Sequence, residues 1–471
     1  MNIDKVIFVS SGMLSPKKWD NRLAREHLYI NYGLLGLASI LSQKGYSVEV
    51  LDGKFEDTHY FVNRLLKNSH SISGYPLFLS LPSYYALPWA RLFCQLLKDK
   101  IPHIKIVIGG RWVANHNGRW LKSQLPNSDL IVYGTAERRI ETLLDTSIWE
   151  TIKHTNISSY NLPEDPLSEY PSLDYSLLRN FYEYNPSIEI SRGCGMGCSF
   201  CVERNVPRMK MRTPESTISS IEKLCDLYQD NSLRIYFESS YFQPNPSWTA
   251  RFKELYKMKG LSIKWRTETR VEGISPKNLY DLADSGLRII DLGLESASPT
   301  QLTRMRKCQD TKGYLNKASN LLKKCRDLGI WTKVNILLFP GETEDTIKET
   351  MDWLSLHDDC IKGISAGPLV IYLGVETNRY LEYLKKFGTV SVDDSLKKKG
   401  YVNLHLSKNM DFSKSVLVSK IISKKFMTDK DYFELKSFSY FSRRFTYEKF
   451  NEIAKNISSD NRSFRLSAFE N

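Results

Sequence analysis

The chain has 471 residues, of which 41% are hydrophobic, 25% charged and 12% aromatic. This composition is typical of a globular protein with room for about three domains, and it excludes the disordered, collagen-like and small disulfide-rich classes. The net charge of +13 comes partly from residues 385–471, which hold 18 Lys and Arg against 10 Asp and Glu. No apolar run approaches the ~18 residues of a membrane span, and the first residues do not resemble a signal peptide, so we expect a cytoplasmic protein.

The first 146 residues alternate between strand and helix patterns. We predict strands at 5–10, 47–51, 76–81, 105–109 and 129–133, with helices at 32–43, 84–98, 115–125 and 136–144. Such alternation predicts a Rossmann-like, doubly wound α/β domain with a ligand crevice at the carboxyl ends of its strands. Gly109, Gly110 and Gly134 fall at strand ends, where backbone can approach a ligand closely, although each alone is also typical of a turn.

Residues 147–185 lose the alternation and contain several prolines, which predicts an extended linker. From residue 187 the alternation returns, with strands predicted at 187–191, 233–238, 262–269, 287–294, 332–339 and 363–372. Six parallel strands with intervening helices predict a partial (β/α)6 barrel of the TIM type over residues 186–384, with functional residues at the carboxyl ends of the strands. We predict a small, mostly helical and basic C-terminal segment over residues 385–471.

Three of the eight cysteines lie together directly after the first predicted barrel strand. Cys194, Cys198 and Cys201 have the spacing C-x3-C-x2-C, whereas the other five are scattered and typical of buried thiols. Three thiolates on one short loop can bind three irons of a [4Fe–4S] cluster and leave the fourth iron open. A structural zinc loop is disfavoured, because zinc takes four ligands and no second Cys or His pair stands nearby.

This segment, with Phe200 as the aromatic residue before the last cysteine, resembles the cluster motif of the radical S-adenosylmethionine (radical SAM) superfamily. The resemblance implies that S-adenosylmethionine (SAM) chelates the open iron and is cleaved to methionine and a 5′-deoxyadenosyl radical. It makes Cys194, Cys198 and Cys201 the metal ligands at the catalytic centre. It also implies cofactor-binding roles for Phe200 and for residues at successive strand ends, namely Glu238, Ser239, Arg270, Glu295 and Ser296.

The N-terminal domain, the proline-containing linker and the Ser-Arg-Gly-Cys194 sequence together resemble the radical SAM subgroup with a cobalamin (B12)-binding domain. That resemblance implies a cobalamin site near Gly109, Gly110 and Gly134. The D-x-H-x-x-G motif that supplies a histidine to cobalt is missing, because Val62 stands where the glycine after Asp57 and His59 is needed. Either cobalamin binds without a protein histidine or the domain has lost it.

We therefore predict a radical SAM enzyme, with a cobalamin-dependent methyltransferase acting on an unactivated carbon of a small molecule or peptide as the leading hypothesis. Its electron donor would be a flavodoxin or ferredoxin. Cyclisation, ring contraction or oxidation without methyl transfer are alternatives, and Glu268, Arg270 and Tyr372 could contact either substrate or cofactor.

An alternative from another class is a non-catalytic iron–sulfur protein that binds RNA through residues 385–471. The helix-like spacing of Phe438, Phe441 and Phe445 instead favours packing of this segment onto the barrel opening as a cap. We therefore expect neither a nucleic acid nor a membrane as partner.

Overall fold

The computed structural model describes residues 5–15, 22–68, 74–147, 149, 170–374 and 377–455. They form two compact units. The first unit takes its described residues from Met1–Trp19, Asn31–Phe181 and Leu373–Val375, and the second from Asp20–Ile30, Tyr182–Tyr372 and Glu376–Asn471. The part of the predicted linker at residues 148 and 150–169 lies outside the described residues. No described helix is long and apolar enough to cross a membrane.

The first unit is built on a five-stranded parallel sheet of order β2-β1-β3-β4-β5. Its strands are β1 Val6–Ser10, β2 Val48–Asp52, β3 Leu77–Ser80, β4 Ile106–Gly109 and β5 Leu130–Ile131. Its helices are α1 Tyr32–Gln43, α2 Thr58–Asn68, α3 Leu87–Lys100 and α4 Gly118–Gln124. The strand order reverses between β1 and β3, as in doubly wound folds, so the predicted Rossmann-like architecture is confirmed.

One predicted helix of the first unit, at residues 136–144, is wrong. Only a 3-10 turn, Thr142–Leu144, forms there. Ile140 and Leu143 are buried, but most of their neighbours are exposed or only partly covered. Two buried apolar side chains remove too little apolar surface from water to offset the free-energy cost of helix nucleation.

The second unit is built on a six-stranded parallel sheet of order β11-β10-β9-β8-β7-β6, called here the barrel sheet. Its strands are β6 Ser187–Ser191, β7 Arg234–Ser239, β8 Lys264–Arg270, β9 Leu287–Glu295, β10 Trp331–Leu338 and β11 Gly363–Pro368. Its helices are α5 Pro214–Tyr228, α6 Pro246–Met258, α7 Pro276–Asp284, α8 Pro299–Arg304, α9 Thr311–Asp327 and α10 Glu344–Ser355. The predicted partial (β/α)6 barrel is confirmed.

The helices cover one face of the barrel sheet, which we call its outer face. Trp265 of β8 stacks on Phe237 of β7 at 4.4 Å between ring centroids, and both rings meet Phe252 of α6 edge-on. Side chains alternate between the two faces of a strand. The residues next to Trp265 and Phe237 in sequence therefore point to the opposite, inner face, which encloses the lumen of the barrel.

Among its described residues, the rest of the second unit holds a small antiparallel sheet and five α-helices. The strands, in order β12-β14-β13, are β12 Val370–Tyr372, β13 Val390–Ser391 and β14 Tyr401–His405. The helices are α11 Thr377–Lys385, α12 Ser395–Lys399, α13 Phe412–Lys425, α14 Asp429–Ser437 and α15 Tyr447–Lys455. The single strand predicted at 363–372 is therefore two strands in two sheets. Pro368, which has no amide hydrogen for a ladder, ends the first of them.

The aromatic residues of the C-terminal segment pack at the opposite end of the barrel from the one we predicted. Phe438, Phe441 and Phe445 form a buried cluster with Leu23 and with Ile289, which lies near the start of β9. They thus close the amino-terminal end of the barrel sheet, not its opening. They also do not share one helix, because α14 ends before Phe438 and α15 begins after Phe445.

We expect Phe441→Ala to lower the free energy of unfolding by about 3–5 kcal/mol, because it removes a fully buried ring that packs on Phe445 at 4.6 Å. Urea unfolding followed by fluorescence measures the change. Leu356→Ala, at a side chain that is 78% exposed, is the control and should shift stability by no more than about 0.5 kcal/mol. Equal effects of the two changes would contradict this packing.

Candidate active site

The loop after β6, residues 192–212, carries the three cysteines and is called here the cluster loop. Gly193, Gly195 and Gly197 have φ values of 70°, 67° and 73°, which L side chains rarely adopt. A Cβ on Gly193 would lie 2.1 Å from the carbonyl oxygen of Pro207. The loop returns on itself here, since the Cys194 amide donates to the Val206 carbonyl at 3.1 Å. Glycine at 193 is therefore required by both conformation and space.

The three thiols lie close enough to interact electrostatically. Cys198 is buried, and burial raises the pKa of the partly exposed Cys194 and Cys201. Arg270 Nη1 donates to Cys198 Sγ at 2.9 Å, and its Nη2 donates to the Lys307 carbonyl at 2.7 Å. A guanidinium in this position stabilises a thiolate.

The donor set fits an iron–sulfur cluster better than a single metal ion. Among the described residues, no three His, Cys, Asp or Glu side chains are grouped so as to hold one ion. A [4Fe–4S] cluster binds each thiolate through a different iron, so its ligands stand further apart. Three thiols on a glycine-rich loop, one of which accepts a hydrogen bond from the Arg270 guanidinium, fit such a cluster.

The two residues predicted at the end of β9, Glu295 and Ser296, have different partners. Glu295 has φ 68°, and its Oε1 lies 3.2 Å from Lys307 Nζ, a buried ammonium. Ser296 is engaged with the protein itself, because its hydroxyl pairs with the Thr350 hydroxyl at 3.1 Å and accepts from the Ser298 amide. Phe200 is half-buried in the turn before Cys201. The carboxyl group of Glu295 is thus more accessible to a ligand than the hydroxyl of Ser296.

The predicted residues at the end of β7 point to different partners. Ser239 pairs with the Ser191 hydroxyl of β6 at 2.5 Å, below the cluster loop. Glu238 accepts at one oxygen, Oε1, from Tyr29 Oη at 2.7 Å and Ser187 Oγ at 2.8 Å. Burial raises the pKa of Glu238 to about 8, so its carboxyl holds a proton at neutral pH.

Solvent reaches alternate residues on the inner face of the barrel sheet. On β10, Asn335 and Leu337 are only partly buried, whereas Val334 and Ile336 on the outer face are buried under helices. Glu268 of β8 is exposed although the residues on either side of it are buried. The barrel therefore encloses an accessible lumen, and Glu268 is surrounded by protein while facing that space.

A buried charge cluster lines the lumen near the amino-terminal ends of the strands. Arg266 donates through Nε, at 3.1 Å, and Nη2 to one oxygen of Asp291, and Lys333 Nζ lies 2.8 Å from the other. Burial would raise the pKa of Asp291, but the two positive charges outweigh burial and lower it. Glu268 accepts from Tyr236 Oη at 2.8 Å, and its enclosure, followed by the charge of Asp291, raises its pKa.

In the first unit, polar groups meet at the carboxyl ends of the strands. Asn31 Nδ2 donates to Ser10 Oγ of β1 at 3.2 Å and to Ser80 Oγ of β3 at 3.0 Å, at the point where strand order reverses. Ser11 Oγ, next along the chain, is buried and has no hydrogen-bond partner among the described residues. This edge of the sheet can therefore accept a polar ligand.

The three predicted glycines of the first unit differ in what surrounds them. Gly110 has φ 112°, and a Cβ there would lie 2.7 Å from the Leu81 amide, so glycine is needed for packing of the chain itself. Gly134 has φ 81° with open space around it, and Gly109 ends β4. Gly134 is thus the glycine that leaves room for a ligand.

Sequence reasoning missed the residues that hold the lumen carboxyls. Tyr29 and Ser187 reach Glu238 across 209 and 51 positions of the chain, and no periodic pattern marks such contacts. Lys333 could have been found, because charged residues recur at alternate positions of neighbouring strands, as at Arg266 and Glu268.

Comparisons with known proteins agree with this geometry. Residues 188–354 match the profile of the Radical SAM superfamily. A tRNA-2-methylthio-N(6)-dimethylallyladenosine synthase of Clostridium botulinum is 25% identical over 275 residues, covering 54% of this chain and 56% of that protein. An uncharacterized methyltransferase of Pyrococcus horikoshii is 25% identical over 348 residues, covering 69% and 73%. The chain thus spans little more than half the length of the first of these relatives.

Two solved structures share the fold. The cobalamin-dependent S-adenosylmethionine radical enzyme OxsB, with aqua-cobalamin and S-adenosylmethionine bound, has a TM-score of 0.70 at 15% identity, covering 98% of this chain and 71% of that one. The radical S-adenosylmethionine methyltransferase TsrM of Kitasatospora setae has a TM-score of 0.58 at 17% identity, covering 82% and 78%. At these identities the likeness establishes the fold alone.

We expect Gly193→Ala to lower the iron bound after anaerobic reconstitution to well under half that of the parent, because the new methyl group would displace Pro207 and open the cluster loop. Gly260→Ala is the matched control: Gly260 also has a positive φ, but a Cβ there meets nothing within 4 Å. Iron and sulfide analysis per chain gives the comparison. Normal iron content in Gly193→Ala would show that the loop tolerates the displacement.

We expect the stability of Glu238→Gln relative to the parent to increase as the pH rises from 5 to 8. The folded carboxyl has a pKa of about 8 against an ordinary 4.5, so between these values the folded state retains a proton that the unfolded state has lost. Raising the pH therefore lowers the free energy of unfolding of the parent by up to about 1.4 kcal/mol per pH unit, whereas the Gln side chain does not titrate and has no such dependence. Urea unfolding at each pH measures it, with the exposed Glu349→Gln as control. A constant difference across this range would refute the assignment.

Proposed function

We propose that this chain, whose residues 188–354 form a radical SAM domain, is a cobalamin-dependent methyltransferase acting on an unactivated carbon of a small molecule or peptide. The observation that carries the proposal is the cluster loop, where three thiols meet the Arg270 guanidinium beside an accessible lumen. The bound cluster supplies the electron that cleaves SAM, and cobalamin supplies the methyl group. A flavodoxin or ferredoxin is the proposed electron donor.

The residues around the cluster loop have separable roles in this proposal. Cys194, Cys198 and Cys201 bind the cluster, and Arg270 donates a hydrogen bond to the Cys198 sulfur. Glu295, held near Lys307, offers a carboxylate to the polar groups of SAM. We propose that Phe200 and Ser239 contribute to cofactor binding; Ser239 also joins β7 to β6 below the loop through its pair with Ser191.

The proposal of cobalamin rests on the first unit. At its strand ends lie the Ser10 and Ser80 hydroxyls and the Ser11 hydroxyl, which has no partner among the described residues, with open space at Gly134 two strands away from β3. OxsB and TsrM, which have the same fold, are described with cobalamin bound. Because Val62 replaces the glycine of the histidine motif, we propose that cobalamin binds here without a histidine ligand to cobalt. Gly109 and Gly110 would then shape the crevice through their backbone.

Methyl transfer is preferred here to methylthio transfer, the reaction named for the Clostridium relative. Insertion of sulfur requires a sulfur donor in addition to the radical. Before Cys194 this chain has only one cysteine, Cys94. That thiol is buried, and burial raises its pKa to about 12, which makes it inert.

The experiment is anaerobic reconstitution of the full chain with iron, sulfide and hydroxocobalamin, followed by reduction in the presence of SAM. We expect about four irons per chain, corrin absorbance that survives washing, and formation of 5′-deoxyadenosine. Cys198→Ala should abolish 5′-deoxyadenosine formation, because it removes the ligand that Arg270 contacts. Absorbance spectroscopy and chromatography of the products provide the readouts.

Cys225→Ala is the matched control, since Cys225 is a buried thiol of α5 outside the cluster loop. It should retain both cluster and activity. Loss of all corrin on washing would remove cobalamin and methyl transfer from the proposal while leaving radical chemistry in place. Tight, salt-dependent binding of generic RNA without SAM cleavage would instead support the non-catalytic alternative.

A further inference from the structure

The lumen of the barrel holds two carboxyl groups at the same level on neighbouring strands. Phe237 of β7 pairs with Thr267 of β8, so Glu238 and Glu268 follow at adjacent positions on the inner face. Each is fixed through its Oε1 by a tyrosine hydroxyl, Tyr29 for Glu238 and Tyr236 for Glu268. The two carboxyl groups are therefore held in defined orientations.

The second oxygen of each carboxyl is free. Neither Glu238 Oε2 nor Glu268 Oε2 has a hydrogen-bond or ion-pair partner among the described residues. The Glu238 side chain is 93% buried, but its Oε2 atom is not among the polar atoms that are both inaccessible to solvent and without a hydrogen-bond partner. Glu268 faces the lumen directly. Both free oxygens therefore face accessible space.

Among the described residues, the cations of the lumen make no hydrogen bond or ion pair with these two groups, although the charges of Lys333 and Arg266 partly offset the raised pKa of Glu268. All three nitrogens of Arg266 are used, two by Asp291 and one by the Leu435 carbonyl, and Lys333 pairs with the other oxygen of Asp291. The charge of Asp291 thus already offsets part of theirs, which leaves less attraction for a carboxylate ligand. Two adjacent carboxyl groups also repel each other when ionised, which disfavours a further anion.

We propose that the lumen binds the substrate through a protonated amine, which the carboxyl groups of Glu238 and Glu268 hold between β7 and β8. An ammonium has three donors and no acceptor, so it can donate to both free oxygens while its charge offsets the repulsion between the carboxylates. Burial raises the pKa of both groups, whereas a bound ammonium would favour their charged forms, so Glu238 would release its proton when the amine binds. The inference rests on the proposed function only in taking the lumen as the place where the substrate binds.

The test uses three small probes with one carbon skeleton: pentylamine, pentanol and pentanoate. Ligand-observed NMR titration measures their binding to the full chain reconstituted with its cluster and SAM. We expect pentylamine to bind and the alcohol and carboxylate to bind at least about tenfold more weakly. Preference for pentanoate, equal binding of all three, or no binding of pentylamine would overturn the proposal.

Variants locate the site. Glu238→Gln and Glu268→Gln keep an acceptor for each tyrosine hydroxyl and should each weaken pentylamine binding by about tenfold or more. Glu349→Gln removes a charge from the outer surface of α10 and should leave binding unchanged. Pentylamine binding that is unaffected by both lumen variants would place the amine elsewhere and refute the proposal.

The result of the amine-binding test can be distinguished from the result of the test of the proposed function. Amine binding requires neither radical formation nor cobalamin. A chain that binds pentylamine through the two glutamates but forms no 5′-deoxyadenosine would retain this inference and lose the proposed function. A chain that forms 5′-deoxyadenosine but does not discriminate between the probes would do the reverse. The probes need no variant, so misfolding of a variant cannot mask the result.

Discussion

The second unit is organised around one buried guanidinium, that of Arg266. Its side chain is 1% exposed and lies 5.1 Å from the ring centroids of both Tyr236 and Tyr440. A buried charge is costly unless each of its donors finds an acceptor. Here two nitrogens bind Asp291 and the third binds the Leu435 carbonyl of α14. The charge on β8 therefore requires the C-terminal segment to be in place.

That requirement explains why the C-terminal segment closes the amino-terminal end of the barrel. Tyr440 stacks on Tyr29 at 5.5 Å and meets Tyr236 edge-on, so three distant parts of the chain form an aromatic floor. The floor carries hydroxyls that fix both lumen glutamates through Tyr29 and Tyr236. Among the described residues, this floor covers the amino-terminal side of the lumen, and the cluster loop lies at the opposite, carboxyl ends of the strands.

Local sequence was sufficient for the parts of the structure that depend on local chemistry. The alternation of strands and helices follows from hydrophobic periodicity, and the cysteine spacing marks the cluster loop, so both could be predicted. The predictions for residues 136–144 and 363–372 are wrong, because limited burial decides the structure of the first segment and a proline ends the first strand of the second. The aromatic floor could not be predicted at all. Tyr29 and Tyr440 lie in segments without hydrophobic periodicity. They form the aromatic floor only after folding has brought these distant segments together.

The net charge of the chain can be read from its sequence, whereas the charge of the lumen depends on which side chains the fold brings together. The net charge of +13 repels a cationic amine at long range, but at physiological ionic strength such repulsion is screened beyond about 8 Å. Inside the lumen, Glu238 and Glu268 are surrounded by protein, so their interaction with a bound ammonium is screened less than an interaction between charges on the outer surface. Selection of an amine would therefore depend on two fixed carboxyl groups and not on the overall field of the protein. The basic composition of residues 385–471 accordingly carries no information about the substrate, whereas alternate residues on β7 and β8 do.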